Sequence, residues 1–189
     1  MKETIKNLTK AFTGESQARN KYTYFASAAK KEGLEQISSI FQETADNEKE
    51  HAEIFFKHLS KINKEQVNIE VEFPASKIGT TEENLLAAAE GEKMEWGTLY
   101  PEFEKVARKE GSNEIADSFK EIAEVEEQHE KRYRKLLENV KNSKVFKKDK
   151  VIKWKCRNCG YIHEGKEAPK LCPACQHTQA YYEVLAENY

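Results

Sequence analysis

The chain repeats part of its own sequence at a constant offset of 78 residues, and this repeat limits the folds it can adopt. The segment Lys31–Gly33 reads KEG, and the same three letters recur at Lys109–Gly111. After each KEG, apolar residues recur every three or four positions, which is the period of an amphipathic helix. The repeat therefore predicts a duplicated helical hairpin. The positions that match further along are Ile37 and Ile115, Phe41 and Phe119, Glu43 and Glu121, Ala45 and Ala123, Glu48 and Glu126, His51 and His129, and Leu59 and Leu137.

Four long helices are expected over residues 1–145, and the lengths of their connections indicate how they pack. The connection within each hairpin is short, whereas about 18 residues join the two hairpins, enough to run the length of a bundle. The segment TTEE at 80–83 can form a capping box, and Pro101 should kink the third helix and free the Gly97 carbonyl. The pattern predicts a mainly α protein with a ferritin-like four-helix bundle. Its helices are expected at about 2–31, 34–62, 80–111 and 113–141.

The inward stripe of each predicted helix is apolar except near its middle, where it turns acidic. The fourth helix, for example, places Ile122, Glu126, His129 and Tyr133 on one face. Carboxylates without partners at one level of an apolar bundle would be desolvated and would repel one another. A divalent or trivalent metal is the counter-charge that fits. The side chains brought to this level are Glu15, Glu48, Glu92, Glu95 and Glu126, with His51 and His129.

One Glu from each of two helices and a Glu-x-x-His motif from each of the other two is the ligand pattern of di-iron carboxylate proteins. Iron or manganese suits these ligands, and iron is preferred for redox chemistry. A single Glu-x-x-His motif is more often a solvated helix face, so the duplication on inward stripes carries the interpretation. Tyr22 and Tyr100 can donate hydrogen bonds to ligand carboxylates, although core packing explains them nearly as well. Glutamates off the stripes, expected to be exposed, are Glu50, Glu53, Glu90, Glu124, Glu127 and Glu130.

All four cysteines lie in the last 34 residues, as two C-x-x-C pairs separated by 12 residues. Four thiolates at this spacing form a tetrahedral metal site, and the spacing leaves the metal open between structural zinc and iron. Gly160 follows the first pair and lets the backbone turn toward sulfur, whereas Gln176 in the equivalent place is less suited to that turn. We expect a small metal-binding domain over residues 150–189. Its ligands are Cys156, Cys159, Cys172 and Cys175.

The distribution of charge and apolar residues argues against several classes of function. The 31 Lys and Arg residues and 33 Asp and Glu residues are interspersed, so no basic field for nucleic acid is expected. The longest apolar run, Leu85–Ala89, is far too short to span a bilayer, and the first ten residues contain no signal-peptide core. We therefore expect a cytoplasmic protein that binds neither nucleic acid nor membrane.

The chain resembles the rubrerythrin family over essentially its whole length. The resemblance rests on GESQARNKYTYF at 14–25, the paired Glu-x-x-His motifs, and GEKMEW followed by LYPEF at 91–103. In the tail it rests on WKCRNCGYIHEG and LCPAC. A di-iron bundle followed by a rubredoxin-like tail is a specific combination, so the resemblance implies both a fold and a pair of iron cofactors.

The resemblance also implies roles for individual residues. It implies that His51 exchanges with Glu95 as a ligand when one iron changes oxidation state. In the tail it implies a single redox iron held by the four cysteines, in place of the zinc that the spacing alone would favour. The ligands implied for the di-iron pair are Glu15, Glu48, Glu92, Glu95, Glu126 and His129.

Members of the family commonly reduce hydrogen peroxide and draw electrons from a reductase or another rubredoxin. The resemblance therefore implies a non-haem di-iron peroxidase. It also implies a head-to-tail homodimer, in which helices are exchanged in some members, or a higher homo-oligomer.

Two other functions are compatible with the same motifs. A ferritin-like ferroxidase would oxidise ferrous iron with dioxygen and build a mineral core, but the cysteine tail and Glu95 argue against it. A binding protein stabilised by a zinc ribbon would be colourless, and its cysteine site would accept no electrons.

Overall fold

The computed structural model describes residues 2–63, 65–72 and 77–188, and it confirms a ferritin-like helical bundle followed by a small cysteine-bearing domain. The predicted helices are present with nearly the predicted ends. One of them is divided by a five-residue π-helix, which we call the π-turn. In chain order the elements are α1 (Lys2–Lys31), α2 (Glu35–Ile62), α3 (Thr81–Met94), the π-turn (Glu95–Leu99), α4 (Tyr100–Lys109), α5 (Asn113–Lys141), β1 (Lys147–Cys156), β2 (Ile162–Glu167), a 3-10 turn (Gln179–Tyr181) and β3 (Tyr182–Val184).

The third predicted helix begins as expected but does not continue unbroken. Thr80 and Glu83 form the predicted capping box, since the Thr80 side chain accepts from the Glu83 amide and the Glu83 carboxylate accepts from the Thr80 amide. The helix is irregular just before Pro101, at the π-turn, where the Tyr100 amide donates to the Glu95 carbonyl. Pro101 then lies in the first turn of α4, where its missing amide hydrogen costs little.

The two KEG segments end α1 and α4 in the same way. Gly33 and Gly111 have φ angles of 74° and 78°, in the left-handed region that favours glycine. The next amide reaches back five residues in both turns, from Leu34 to the Ala29 carbonyl and from Ser112 to that of Ala107, each at 2.9 Å. The sequence repeat is therefore also a repeat of hydrogen bonds.

The glutamate of each KEG segment caps the first helix of the other hairpin. Glu32 accepts from the Thr81 amide at 2.9 Å, at the start of α3. Glu110 accepts from the amide and the hydroxyl of Thr4 at 2.9 and 2.6 Å, near the start of α1. We refer to these contacts as the reciprocal caps, and they join the two hairpins at opposite ends of the bundle.

Two apolar clusters fill the bundle, one on each side of its acidic level. The first contains Phe25 and Phe41, and the second contains Phe55 and Phe119. All four rings are 0–1% exposed, so water is excluded above and below the acids. The carboxylates therefore lie in a polar layer between two dry layers.

The C-terminal domain is a three-stranded antiparallel sheet in the order β2-β1-β3. Trp154 and Tyr182 fill its small core together with Cys156 and Cys172. The Trp154 indole donates to the Gly165 carbonyl at 3.0 Å. A core of this size leaves the remaining stability to a bound metal.

The C-terminal domain rests on the bundle near the start of α2. Arg157 donates to the Ser39 hydroxyl at 2.7 Å, and Ala180 lies beside Gly33. Among the helices within the described ranges, none is long and apolar enough to cross a membrane.

Candidate metal centres

Four helices deliver one buried carboxylate each to the middle of the bundle. Glu15 comes from α1, Glu48 from α2, Glu92 from α3 and Glu126 from α5. All four are at most 1% exposed. Each occupies the inward position that the helical period predicted, so the acidic level of the sequence is one layer in space.

The donor atoms of this layer form two overlapping sets. Within each set, one donor atom from every residue lies within 4.8 Å of the others. Glu48 and Glu126 belong to both sets, as expected for carboxylates that bridge two metal ions. One set consists of Glu15, Glu48, His51 and Glu126, and the other of Glu48, Glu92, Glu126 and His129.

The two histidines face the shared carboxylates from opposite sides. Nδ1 of His51 lies 2.9 Å from an oxygen of Glu48 and 2.9 Å from one of Glu126. Nδ1 of His129 lies 2.7 Å from Glu126 and 3.3 Å from Glu48. The ring centroids are 6.1 Å apart, which leaves the shared carboxylates between them.

The pKa values of these groups depend strongly on one another. Burial alone would lower the pKa of both histidines, but the facing carboxylates raise the pKa of His51 to about 10 and that of His129 to about 12. Burial acts to raise the pKa of Glu126, but the two histidines lower it to about 2. Burial and the charge of Glu48 raise the pKa of Glu92 to about 8. Without metal, the site therefore retains protons that a cation would displace.

Two buried tyrosines hold the outer carboxylates in a crossed arrangement. The Tyr22 hydroxyl on α1 donates to Glu92 on α3, and the Tyr100 hydroxyl on α4 donates to Glu15 on α1. Both rings are at most 2% exposed. Each hydrogen bond fixes one oxygen of a carboxylate and leaves the other free.

These free oxygens show that the site suits a metal ion. Within the described part of the chain, Oε2 of Glu15, Oε1 of Glu48 and Oε2 of Glu92 are buried without a hydrogen-bond partner. Buried carboxylate oxygens without donors are costly unless a cation binds them. Mixed carboxylate and imidazole donors are a set that iron accepts.

Glu95 lies at the edge of this layer and belongs to neither donor set. It is the first residue of the π-turn and lines a cavity of about 580 Å³ between α1 and the helices α3 and α4. Tyr22 and Tyr100 line the same cavity, so it reaches the residues that hold the outer carboxylates. Lys21 also lines it. The predicted ligand Glu95 is therefore adjacent to the site, on its cavity side.

One glutamate that was expected to be exposed is buried. Glu130 is only 7% exposed and contacts Trp96 and Arg134, so the expectation for this residue was wrong. The helical period places Glu130 off the inward stripe of α5, and it is buried by the indole that reaches it from the π-turn. The sequence feature that could have indicated this contact is the spacing of Glu130 and Arg134, four residues apart on one helix, although that spacing is common on exposed helices.

The four cysteines converge as their spacing predicted. The sulfur atoms of Cys156 and Cys175 are 3.8 Å apart, and those of Cys159 and Cys172 are 3.6 Å apart. A tetrahedral ion with bonds of about 2.3 Å to sulfur separates its ligand atoms by about 3.8 Å. All four residues are free cysteines, so the thiolates are available to a metal.

The loops that carry the cysteines share one set of backbone hydrogen bonds. The Gly160 amide donates to the Cys156 carbonyl at 2.8 Å, and the Gln176 amide donates to that of Cys172 at 2.9 Å. Gly160 has a φ of 80° and Gln176 a φ of 59°, so both occupy the left-handed region. Gln176 therefore makes the same turn as Gly160, although its side chain disfavours that conformation.

Comparison with known proteins agrees with both centres. The rubrerythrin family model matches residues 6–137, and the model of the rubrerythrin rubredoxin-like domain matches residues 154–183. Rubrerythrin-1 of Clostridium acetobutylicum is 56% identical over 188 residues, covering 99% of this chain and 96% of that protein. Rubrerythrin of Porphyromonas gingivalis is 54% identical, covering 99% of this chain and 92% of that protein.

Solved structures show the same architecture. The structure titled as the fully reduced, all-ferrous state of nigerythrin matches with a TM-score of 0.65 and 30% identity, over 96% of this chain and 86% of that one. Fold and site together define a ferritin-like di-iron carboxylate protein. Within that class, the chain belongs to the rubrerythrin family. Its two centres are the di-iron and rubredoxin-type iron sites of that family, whose members are generally oxidoreductases.

Proposed function

We propose that the chain is a peroxidase that reduces hydrogen peroxide to two molecules of water, using two electrons and two protons. The observation that carries this proposal is the pair of donor sets sharing Glu48 and Glu126. Two iron ions held there would supply both electrons at one place. The four-cysteine site on the same chain suits one-electron transfer from a reductase or a rubredoxin.

The surrounding side chains would orient the site and adjust its charge. Tyr22 and Tyr100 fix Glu92 and Glu15, so the outer carboxylates stay in place while their charge environment changes. His51 lies within a donor set and Glu95 lies outside it. An exchange between these two residues requires one arrangement with His51 at the metal and another with Glu95 there, and the structure corresponds to the first. We propose that His51 and Glu95 alternate as ligands of one ion.

The cavity beside Glu95 supplies the route for peroxide. Tyr22 and Tyr100 line it, and Lys21 and Lys10 on its wall provide polar groups for a small polar substrate. Above and below the acidic layer, the two apolar clusters exclude water. Peroxide therefore approaches the side of the site on which Glu95 lies.

Electron delivery favours a head-to-tail homodimer. The C-terminal domain contacts its own bundle at Ser39, nine residues before Glu48 on α2 and thus about 14 Å from it along the axis. A partner's domain placed beside the di-iron site would shorten the path for electrons. An exchange of helices between subunits, or a higher homo-oligomer, can preserve that arrangement.

Four cysteines grouped to bind a metal as thiolates fit a compartment that keeps thiols reduced. We therefore propose that the protein works in the cytoplasm. The interspersed surface charges support the further proposal that neither nucleic acid nor membrane is its partner.

The test is stopped-flow mixing of reduced, iron-loaded protein with stoichiometric peroxide and, separately, with dioxygen. The absorption of the ferric thiolate centre reports oxidation. We expect peroxide to restore this absorption much faster than dioxygen does. Glu126→Gln, which alters a shared carboxylate, should abolish the difference, whereas Glu124→Gln at an exposed position of α5 should preserve it.

Other outcomes identify the alternative functions. Faster oxidation by dioxygen, with ferrous iron consumed in excess of the bound metal, would indicate a ferroxidase. A colourless protein whose native preparation contains zinc at the four cysteines would indicate a binding protein without redox turnover.

A further inference from the structure

Glu130 is a buried carboxylate for which the proposed reaction gives no role. It follows His129 directly on α5, yet it lies outside both donor sets. Its Oε2 accepts from the Trp96 indole at 2.7 Å, and its Oε1 accepts from Nε of Arg134 at 2.5 Å. Both oxygens are therefore engaged away from the metal site.

These contacts connect α5 to the segment that carries Glu95. Trp96 is the second residue of the π-turn and directly follows Glu95. Arg134 also donates through Nη2 to Glu90 at 3.0 Å, near the end of α3. Glu130 and Arg134 thus hold the chain on both sides of the point where α3 passes into the π-turn.

A π-turn needs such an anchor more than an α-helix does. Its hydrogen bonds reach back five residues, and π-helices occur mostly as short interruptions at functional sites. Because Glu95 and Trp96 are consecutive, a shift of the indole also shifts the backbone of Glu95. The hydrogen bond to Glu130 therefore restricts where the Glu95 carboxylate can lie.

We infer that Glu130 is a positioning residue for Glu95: by holding the Trp96 indole, it fixes the π-turn so that the Glu95 carboxylate stays within reach of the metal pair. This inference rests on the proposed function only in treating Glu95 as a ligand in one state of the site. It gives the Glu130–Trp96 contact a role in the metal centre beyond the stability of the bundle.

The test is a double-mutant cycle on ferrous iron affinity. Iron is titrated anaerobically into protein whose four-cysteine site is already filled with iron. Glu130→Ala and Trp96→Phe should each weaken binding at the di-iron site on the order of tenfold. In a Glu95→Ala background, either change should weaken iron binding further by less than about twofold, because the residue that it positions is gone.

Two further variants separate positioning from general stability. Glu130→Gln keeps an oxygen that can accept from Trp96 and should recover most of the affinity lost in Glu130→Ala. Glu127→Gln changes an acid of α5 that pairs with Lys131 on the surface, and it should leave affinity unchanged. Trp96→Phe keeps an aromatic ring and thus remains informative if Glu130→Ala does not fold.

The inference is overturned if Glu130→Ala and Trp96→Phe still lower the iron affinity tenfold in the Glu95→Ala background. It is also overturned if Trp96→Phe does not change the iron affinity of the otherwise native protein. Peroxide kinetics on the same proteins test the proposed function separately. A cycle that behaves as expected in a protein inert to peroxide would contradict only the peroxidase proposal. Rapid peroxide reduction with additive losses of iron affinity would contradict only the role of Glu130.

Discussion

At the residue scale, the surroundings of a glutamate decide its role in this highly charged chain. Glu53 pairs with Lys57 at 2.6 Å on the surface, where solvent screens the pair and its contribution to stability is small. Glu48 and Glu126 share their histidines in a layer from which water is excluded. The same functional group is a surface charge in one place and a buried member of two metal-donor sets in the other.

The crossed tyrosines should act on different metal ions. Tyr100→Phe removes the hydrogen bond to Glu15, and Tyr22→Phe removes the one to Glu92, while both keep the buried ring. We expect each change to weaken the binding of one ferrous ion on the order of tenfold and to leave the binding of the other unchanged. Calorimetric titration resolves the two steps, with Tyr24→Phe, at a residue 52% exposed, as the matched control. Equal weakening of both ions by either variant would contradict this assignment.

The metal-free bundle should lose stability as the pH rises. The pKa of His51 is raised from 6.5 to about 10, so the stability it contributes is complete below about pH 6.5 and is lost as the pH rises through about 10. The pKa of Glu92 is raised from 4.5 to about 8, so its ionisation adds a penalty that grows up to about pH 8. We expect the Tm of metal-free protein to fall between about pH 6 and about pH 10.

Iron-loaded protein provides the control for this pH dependence. Its ligands are already deprotonated, so raising the pH over the same range should not reproduce the fall in Tm. A metal-free protein whose Tm stayed constant or rose would show that the histidines do not carry the protons inferred for them.

The carboxylates and histidines of the two donor sets could be predicted from the sequence because each breaks the apolar period of its own helix. The burial of Glu130 could not be predicted, because it depends on Trp96, which lies 34 residues away along the chain. The crossing of the tyrosines depends likewise on how α1 packs beside α3 and α4. Periodicity describes one helix at a time, and these contacts join two.

At the element scale, the two cysteine loops show how one turn tolerates different residues. Gly160 adopts its left-handed φ at no steric cost, whereas Gln176 adopts nearly the same angle with a side chain. The sequence indicated that the second turn is less suited, and the structure shows that the turn is nevertheless made. The matching hydrogen bonds hold both loops in one conformation, and a metal bound by the four cysteines would add to this restraint.

Substitutions in these loops should have opposite effects on the stability of the C-terminal domain. Gln176→Gly should stabilise it by up to about 1 kcal/mol, because it relieves the left-handed conformation. Gly160→Ala should destabilise it by about 1–2 kcal/mol through the backbone alone, since no atom lies within 4 Å of an added Cβ. Urea unfolding followed by thiolate absorption measures both. A change of the same sign in the two variants would contradict the equivalence of the turns.

The π-turn marks a limit of prediction for elements. Pro101 indicated an irregular third helix, and the sequence placed the irregularity at the proline. The structure places it before the proline, so that Pro101 occupies a first turn, where no amide donor is required. Two features of the sequence could have indicated this position: the preference of proline for the first turn of a helix, and the acid at Glu95.

At the scale of the whole molecule, the reciprocal caps give the bundle an approximate twofold plan. Glu32 of the first hairpin caps α3, and Glu110 of the second caps α1. Each cap joins helices that are distant in sequence and places a carboxylate at a helix N-terminus, where it also interacts favourably with the dipole. The duplicated KEG segment therefore both ends its own helix and stabilises the start of another.

Removing either cap should weaken the whole bundle by a similar amount. Glu32→Ala and Glu110→Ala, which remove the accepting oxygens, should each lower the free energy of unfolding by about 1 kcal/mol. Because the caps lie at opposite ends, the double variant should lose about the sum. Urea unfolding of the metal-free protein measures this, with Glu121→Ala at an exposed position of α5 as the control. A double variant no weaker than the single ones would contradict the independence of the caps.

The reciprocal caps have a consequence for how the chain can be threaded. The bundle could be circularly permuted. The chain would be opened between residues 63 and 80, and a linker of similar length would join the end of α5 to the start of α1. The permuted bundle would retain both KEG turns, both caps and all four acidic positions. The metal site therefore does not require the two hairpins to follow one another in this order along the polypeptide.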